Sequence, residues 1–193
     1  MKQYLGESRS TRQENYALIG PDSHEVTTLP NWAGSSLAFV IAPQLGARFS
    51  EYFAQMEDQG CATESPVGSQ RFFLVLEGAV TLTTGEGSHE IGVEGYAIVP
   101  AGMGHTITAR GPTRLIVLER PYLPLAGYER PGLHVSTIAD QQQVEMKGDD
   151  RLLLQRLAPV DRDSTSKSTS WNTSRAWACP MSRPTTWNTV SCC

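Results

Sequence analysis

From Tyr16 to Arg120 the chain is a succession of short apolar or alternating runs separated by turn residues, and none of it carries a 3.6-residue period. That pattern points to a barrel or a sandwich. Residues 36–42 (SLAFVIA) are apolar almost throughout and read as a buried strand, and 48–56 (RFSEYFAQM) alternate as a half-exposed one. The strongest strand is 71–76 (RFFLVL); Glu77-Gly78 is expected to turn it into 79–84 (AVTLTT) as a hairpin. Gly85-Glu86-Gly87 marks the next turn. Residues 95–100 (GYAIVP) lead into Ala101-Gly102, and strands at 105–109 and 113–119 (TRLIVLE) close the set. Roughly eight strands at close spacing predict an antiparallel double-sheet roll. Phe39, Phe53, Phe73, Leu74, Leu76, Ile98 and Ile116 are its expected buried residues.

Past Arg120 the character changes. Pro121, Pro124, Gly127, Pro131 and Gly132 mark a linker, 135–138 has the pattern of a short strand, and 152–157 reads as the first strand of a second unit. The expected organisation is a barrel over 1–120, a linker over 121–150, the start of a second unit over 151–163, and a non-native or disordered tail over 164–193.

The tail stands apart in composition. From Ser164 to Cys193 there is no Asp, Glu, Leu, Ile, Phe or Tyr, while three of the four Trp and three of the four Cys lie there. A segment with Val190 as its one branched aliphatic buries too little surface to offset its ordering entropy. A disordered Ser/Thr-rich tail and translation in the wrong frame both produce such a stretch. The frame can be examined from the residues. Trp-Asn-Thr occurs at 171–173 and at 187–189. Read one nucleotide earlier, its codons give Leu, Met or Val, then Glu, then Tyr or His. Around the second copy the codons permit E-T-H-Y-M-E-H, of which the Glu and the final Tyr/His choice are forced. E-x-H-x-x-x-H is a pattern in which a carboxylate and two imidazoles converge on one divalent ion. The expectation is therefore a frameshift near residue 163.

Composition narrows the function classes. A formal net charge of −4 and a pI near 5.6 leave no electrostatic footprint for nucleic acid or an anionic membrane. No apolar run is long enough to span a bilayer, and Met1-Lys2-Gln3-Tyr4 starts no signal peptide. Before the tail Cys61 stands alone, so no disulfide framework is expected, and a cytoplasmic location follows as the default.

Two pieces, F-F-L-V-L-E-G at 72–78 and G-Y-A-I-V-P-A-G-M-G-H at 95–105, resemble the paired motifs of the cupins. In those motifs a strand ends at a Gly turn, and a P-x-G turn then presents a His inside the barrel. The resemblance implies an all-β cupin fold, a double-stranded β-helix (jelly-roll) barrel. Where metal-binding cupins carry H-x-H and a Glu, this chain has Glu64, Pro66 and Arg71, and only His105 matches a ligand position. One imidazole does not hold a metal, so no catalytic, cofactor-binding or metal residue is expected in this barrel. T-R-Q-E-N-Y-A-L-I-G-P-D-S-H-E at 11–25, L-P-N-W at 29–32, I-A-P-Q-L-G-A-R-F at 41–49 and E-R-P-Y-L-P-L-A-G at 119–127 narrow the resemblance. They are similar to the (S)-ureidoglycine aminohydrolases, a bicupin family of purine and allantoin degradation. The resemblance implies that the chain is the first half of a bicupin. Intact members hydrolyse the small molecule ureidoglycine to ureidoglycolate and ammonia, with manganese held in the second cupin by a Glu, two His and a Gln. The pattern hidden in the tail's other frame falls where the Glu and two His are expected. This chain is then expected to lack the catalytic cupin, to hold no manganese and to be a homo-oligomer. The alternative is a metal-free cupin that serves as a binding or oligomerisation module.

Individual candidates divide as follows. His105 reads as a buried, hydrogen-bonded structural histidine or a remnant ligand. Arg71 reads as a carboxylate fork inside the barrel or as an arginine snorkelling at a strand edge. Glu77 before a turn Gly is expected in solvent, as are His24, His89 and His134 in turn or linker sequence. Cys61 has no basic neighbour in sequence to activate its thiol. Met103 is expected to pack the barrel.

Overall fold

A computed structural model of the chain describes residues 10–12, 16–20, 23–124, 130–146, 149–158 and 190–192. Its strands, in chain order, are β1 (Thr11–Arg12), β2 (Tyr16–Leu18), β3 (Val26–Thr27), β4 (Trp32–Ile41) and β5 (Ser50–Ala62). They continue as β6 (Ser69–Glu77), β7 (Val80–Thr84), β8 (Gly87–Ile91), β9 (Gly95–Val99) and β10 (His105–Ala109). β11 (Thr113–Pro121), β12 (His134–Thr137), β13 (Gln143–Met146), β14 (Asp149–Gln155) and β15 (Val190–Cys192) complete the set. Ten strands form one antiparallel sheet in the order β12-β9-β6-β11-β5-β10-β7-β8, with β4 on β5 and β3 on β4. The sheet curls into a nearly closed barrel, the all-β roll expected from the strand pattern.

Period-2 alternation sorts the side chains into two groups. Phe73 and Val75 on β6, Leu115 and Val117 on β11, Tyr52, Ala54 and Met56 on β5 and Ile107 on β10 point inward and share one buried cluster. The opposite faces of β6 and β9 place Phe72, Leu74, Tyr96 and Ile98 in a second cluster outside the barrel. Leu76, Ile116 and Leu118 border it, with Ile138, Leu157 and Ala158 packed on it from later in the chain. Among the expected core residues, Phe73, Leu74 and Ile98 are buried, but Phe39, Phe53, Leu76 and Ile116 are only half-buried. The parity explains three of these. Phe53 follows inward Tyr52, Ile116 precedes inward Val117 and Leu76 follows inward Val75, so all three lie on the outer face.

Glu77-Gly78 does not make the expected hairpin. β6 pairs with β11 and β9, whereas β7 pairs with β8 and β10. Alternation in sequence sets which face a residue occupies; it does not choose the neighbouring strand. Gly78, at φ 78°, sends the chain from one side of the barrel to the other, and a Cβ there would lie 2.5 Å from the Pro112 carbonyl oxygen. The tight hairpin comes one strand later, where Gly85-Glu86 joins β7 to β8 in register from Thr84↔Gly87 to Val80↔Ile91.

Within the stretch expected as a linker, β12 joins the barrel sheet through β9, from His134↔Ile98 to Thr137↔Gly95. β13 and β14 pair with each other. The chain after β14 lies on the outer cluster, where Tyr96 Oη donates to the Leu157 carbonyl at 2.7 Å. Most of the tail lies outside the described residues; its described part, β15, runs antiparallel to β2. Among the described residues no helix is long and apolar enough to cross a membrane.

Phe73 is fully buried at the centre of the inner cluster. Phe73→Ala should therefore cost about 3–5 kcal/mol, read as a lower denaturation midpoint at unchanged slope. A loss below about 1 kcal/mol would mean that the strand does not face the core.

Candidate functional site

The charged residues of the barrel interior occupy one layer at the end where the chain enters β6 and leaves β11. Arg71 shares the inner face of β6 with Phe73 and Val75, and Glu119 shares that of β11 with Leu115 and Val117. The two residues face each other in register. His105 opens β10 on the inward parity of Ile107, and Tyr52 lies on the inward face of β5. The side chains then meet. Arg71, with no exposed surface, donates from Nε to Glu119 Oε1 at 2.8 Å and from Nη2 to the same oxygen at 2.7 Å. Its Nη1 donates to the Thr63 carbonyl at 2.7 Å and lies 3.0 Å from His105 Nε2. Nη2 also reaches the Glu64 carbonyl at 3.4 Å. Above the guanidinium, its central carbon stands 5.4 Å from the centre of the Trp32 ring.

A guanidinium has five N–H donors, and this one has an acceptor for each. The Arg71 fork therefore grips a carboxylate, as one of the two sequence readings had it, but the carboxylate is the chain's own Glu119. The other reading, an arginine snorkelling at a strand edge, is corrected: β6 is paired on both sides and the side chain is sealed inside.

His105 is 5% exposed. Its Nδ1 stands 2.9 Å from the Met103 carbonyl, which can only accept, so Nδ1 carries the proton. Nε2 is then the lone pair that receives the Arg71 N–H. Burial lowers the imidazole pKa below its ordinary 6.5; the Met103 carbonyl opposes that shift and the Arg71 charge adds to it. Both ring nitrogens are occupied, so His105 has no free position for taking or giving a proton. The Tyr52 hydroxyl is pushed to a higher pKa, first by burial and then by the Glu119 charge. The Glu119 carboxylate and Trp32 both border the Tyr52 hydroxyl.

The remaining candidates stay outside this layer. Glu77 is exposed and 3.4 Å from Arg114 Nη1. His24, His89 and His134 were expected in solvent but are half-buried. His24 packs edge-on to Phe53, His89 lies within β8, and His134 opens β12 with Nε2 3.4 Å from Tyr96 Oη, its pKa lowered by burial. The turn and linker reading missed that two of them sit in strands. Cys61 is half-buried in β5, a free thiol. Met103 packs against the inner cluster from the barrel mouth. Sequence reasoning passed over Glu119, Tyr52, Trp32 and Thr63. For Glu119 the signal was present: it continues the L-x-V-x alternation of Leu115 and Val117 onto the inner face.

A depression of about 450 Å³ opens beside this layer, with Thr63, Glu64, Thr83, Thr84 and Thr106 around His105. The residues of the layer do not fit a divalent metal. The point on which Glu119, His105 and the Thr63 carbonyl converge is taken by a guanidinium. Among the described residues no three His, Cys, Asp or Glu side chains gather to hold an ion.

No family model matches the chain. Among curated proteins it is similar to a probable (S)-ureidoglycine aminohydrolase of rice, 35% identical over 145 residues, which are 75% of this chain and 47% of the relative. The (S)-ureidoglycine aminohydrolase of Arabidopsis thaliana is 34% identical over 75% of the chain and 48% of its own length. That of Escherichia coli K12 is 24% identical, over 76% and 58%. The chain thus spans about half the length of the plant relatives it matches. Among solved structures, the Escherichia coli protein YlbA aligns at a TM-score of 0.70 and 21% identity, over 82% of this chain and 64% of that one. A putative glyoxylate-induced protein of Pseudomonas aeruginosa aligns equally well, at 22% identity over 82% and 63%. These neighbours carry the fold, a cupin barrel.

Removing one partner of the ion pair strands a buried charge. Glu119→Ala should cost about 3–5 kcal/mol, and the double variant Arg71→Met/Glu119→Leu distinctly less. A double-variant loss equal to the sum of the losses from Arg71→Met and Glu119→Leu, each measured alone in urea melts, would show that the pair carries no coupling.

The lowered His105 pKa has a definite sign. The unfolded chain takes up the proton near 6.5 and the folded chain only at lower pH. The stabilisation by neutral His105 is therefore complete above that value and lost as pH falls through the interval down to the folded pKa. His105→Gln should flatten this part of the stability–pH curve, measured by thermal melts against pH; an unchanged slope would contradict the buried neutral imidazole.

Proposed function

We propose, from the kinship of this chain with the (S)-ureidoglycine aminohydrolases over three quarters of its length, that it is the first barrel of a bicupin of that type. Its function is then that of a non-catalytic cupin within a protein that hydrolyses ureidoglycine to ureidoglycolate and ammonia in the cytoplasm, as part of purine and allantoin breakdown. The observation that carries the assignment is the 35% identity with the rice relative over 145 residues. The polar layer supports the non-catalytic part: Arg71 has no spare donor, His105 no spare nitrogen, and Glu119 Oε1 is held by the guanidinium. In this reading the reaction belongs to a second barrel. Manganese there would orient the substrate and stabilise charge at the carbon that loses its amine. The residues that would hold it are those hidden in the other frame of 164–193, which the chain as written does not contain.

A second reading, a metal-free cupin acting as a binding or oligomerisation module, draws on the same polar layer. The nucleotide sequence separates the two readings. If the frame upstream of residue 163 continues into a second barrel with E-x-H-x-x-x-H and a Gln ligand, the hydrolase reading stands.

The corresponding experiment compares the protein as written with the product of the frame-restored gene. The first should bind no stoichiometric Mn²⁺ and release no ammonia from ureidoglycine, and the second should do both. Ammonia release by the unrepaired chain would place the catalytic centre in the first barrel and overturn the assignment.

A further inference from the structure

The groups around Arg71 are held in place by bonds that do not involve Arg71. Thr63 N donates to the Asn31 carbonyl at 2.9 Å, and Asn31 Nδ2 donates to the Glu64 carbonyl at 3.2 Å, which fixes both loop acceptors. His105 is oriented by Met103 and sits on β10, which β7 and β5 flank on either side. Glu119 sits on β11, paired at this position to Ser50 of β5. Trp32 is anchored by its N–H to the Leu29 carbonyl at 3.0 Å and by pairing with Ala62. One carboxylate, one imidazole lone pair, two carbonyls and an aromatic face therefore surround a single point, each supported by the scaffold.

We propose that this layer is a preorganised cage for a planar, delocalised organic cation, of the guanidinium or amidinium class, and that the native chain occupies it with the side chain of Arg71. The donor–acceptor distances of 2.7–3.4 Å and the indole face at 5.4 Å suit a flat cation that both hydrogen-bonds at its edge and stacks. A bare divalent ion needs oxygens at about 2.0–2.6 Å, closer than a cage built around a guanidinium offers. A compact ammonium would leave acceptors unpaired. His105, Thr63 and Glu64 belong both to the cage and to the depression beside it, so an external cation has a way in once the Arg71 side chain is removed. While Arg71 is present, the layer is closed to external ligands.

The test is chemical rescue in the full chain. Arg71→Ala is melted in millimolar guanidinium chloride and in sodium chloride of equal ionic strength. Its melting temperature should rise saturably by a few degrees with guanidinium, and likewise with methylguanidinium, while ammonium is at least about tenfold weaker. The unsubstituted chain and Arg71→Ala/Glu119→Ala should show no such rise. A response shared by Arg71→Ala and the unsubstituted chain would overturn the cage, as would a rise with Mn²⁺ or Zn²⁺ and none with guanidinium. Should Arg71→Ala fail to fold in sodium chloride, it and Arg71→Met are refolded with guanidinium and followed by circular dichroism. Recovery of the folded signal for Arg71→Ala supports the cage; no recovery shows that the walls depend on Arg71 and overturns it. The ammonia assay on the frame-restored protein is a separate readout, so failure here leaves the proposed function standing.

Discussion

The ion pair between Arg71 and Glu119 is the interaction on which the organisation of this barrel turns. Taking a guanidinium and a carboxylate out of water costs several kcal/mol for each ion, and their attraction repays it only when every remaining donor is met. Here that condition draws in the Thr63 and Glu64 carbonyls and the His105 imidazole, so the strand-end loop before β6, the start of β10 and the end of β11 are located by one group. Because the partners come from β6, β10 and β11, the pair also sets how the two sides of the barrel meet at this end. Below it the interior is apolar, from Phe73 and Val75 to Leu82 and Ile107. The charged layer is thus the lid of a hydrophobic core.

The same groups decide what the layer can do. An imidazole serves as acid or base through a nitrogen that can gain or lose a proton, and an arginine binds a substrate through a donor it has not already used. In this barrel both are spent within the chain. Of the positions aligned with cupin ligands, Arg71 and His105 lie in this layer, and the guanidinium fills the space beside the imidazole. The chain is similar to (S)-ureidoglycine aminohydrolases over about half the length of the plant proteins.

The outer face tells a complementary story. β6 and β9 present Phe72, Leu74, Tyr96 and Ile98 away from the interior, and an apolar surface of this kind requires a cover. Part of the cover comes from beyond β11: β12 extends the sheet, and Ile138, Leu157 and Ala158 pack on the cluster. The segment that reads in sequence as a proline- and glycine-rich connection thus continues the barrel's own packing.

The sequence by itself determined that the chain is an all-β roll, because alternation and turn residues are local properties that survive without knowledge of partners. It also placed the strand at 105–109 at its observed bounds and identified Arg71 and His105 as the unusual residues of the cupin-like motifs. The strand partners were decided only in three dimensions. Nothing in R-F-F-L-V-L-E-G-A-V-T-L-T-T distinguishes a hairpin at Gly78 from a crossing to a distant strand of the same sheet, since both obey the same alternation. The half-burial of Phe53, Leu76 and Ile116 was likewise a tertiary outcome, because an apolar side chain in a strand signals burial on some face without naming it. Most of all, the meeting of Arg71 with Glu119, 48 residues away, is invisible to local pattern. Each charge alone looks like a surface residue or a ligand, and only the register of β6 against β11 turns them into one buried pair.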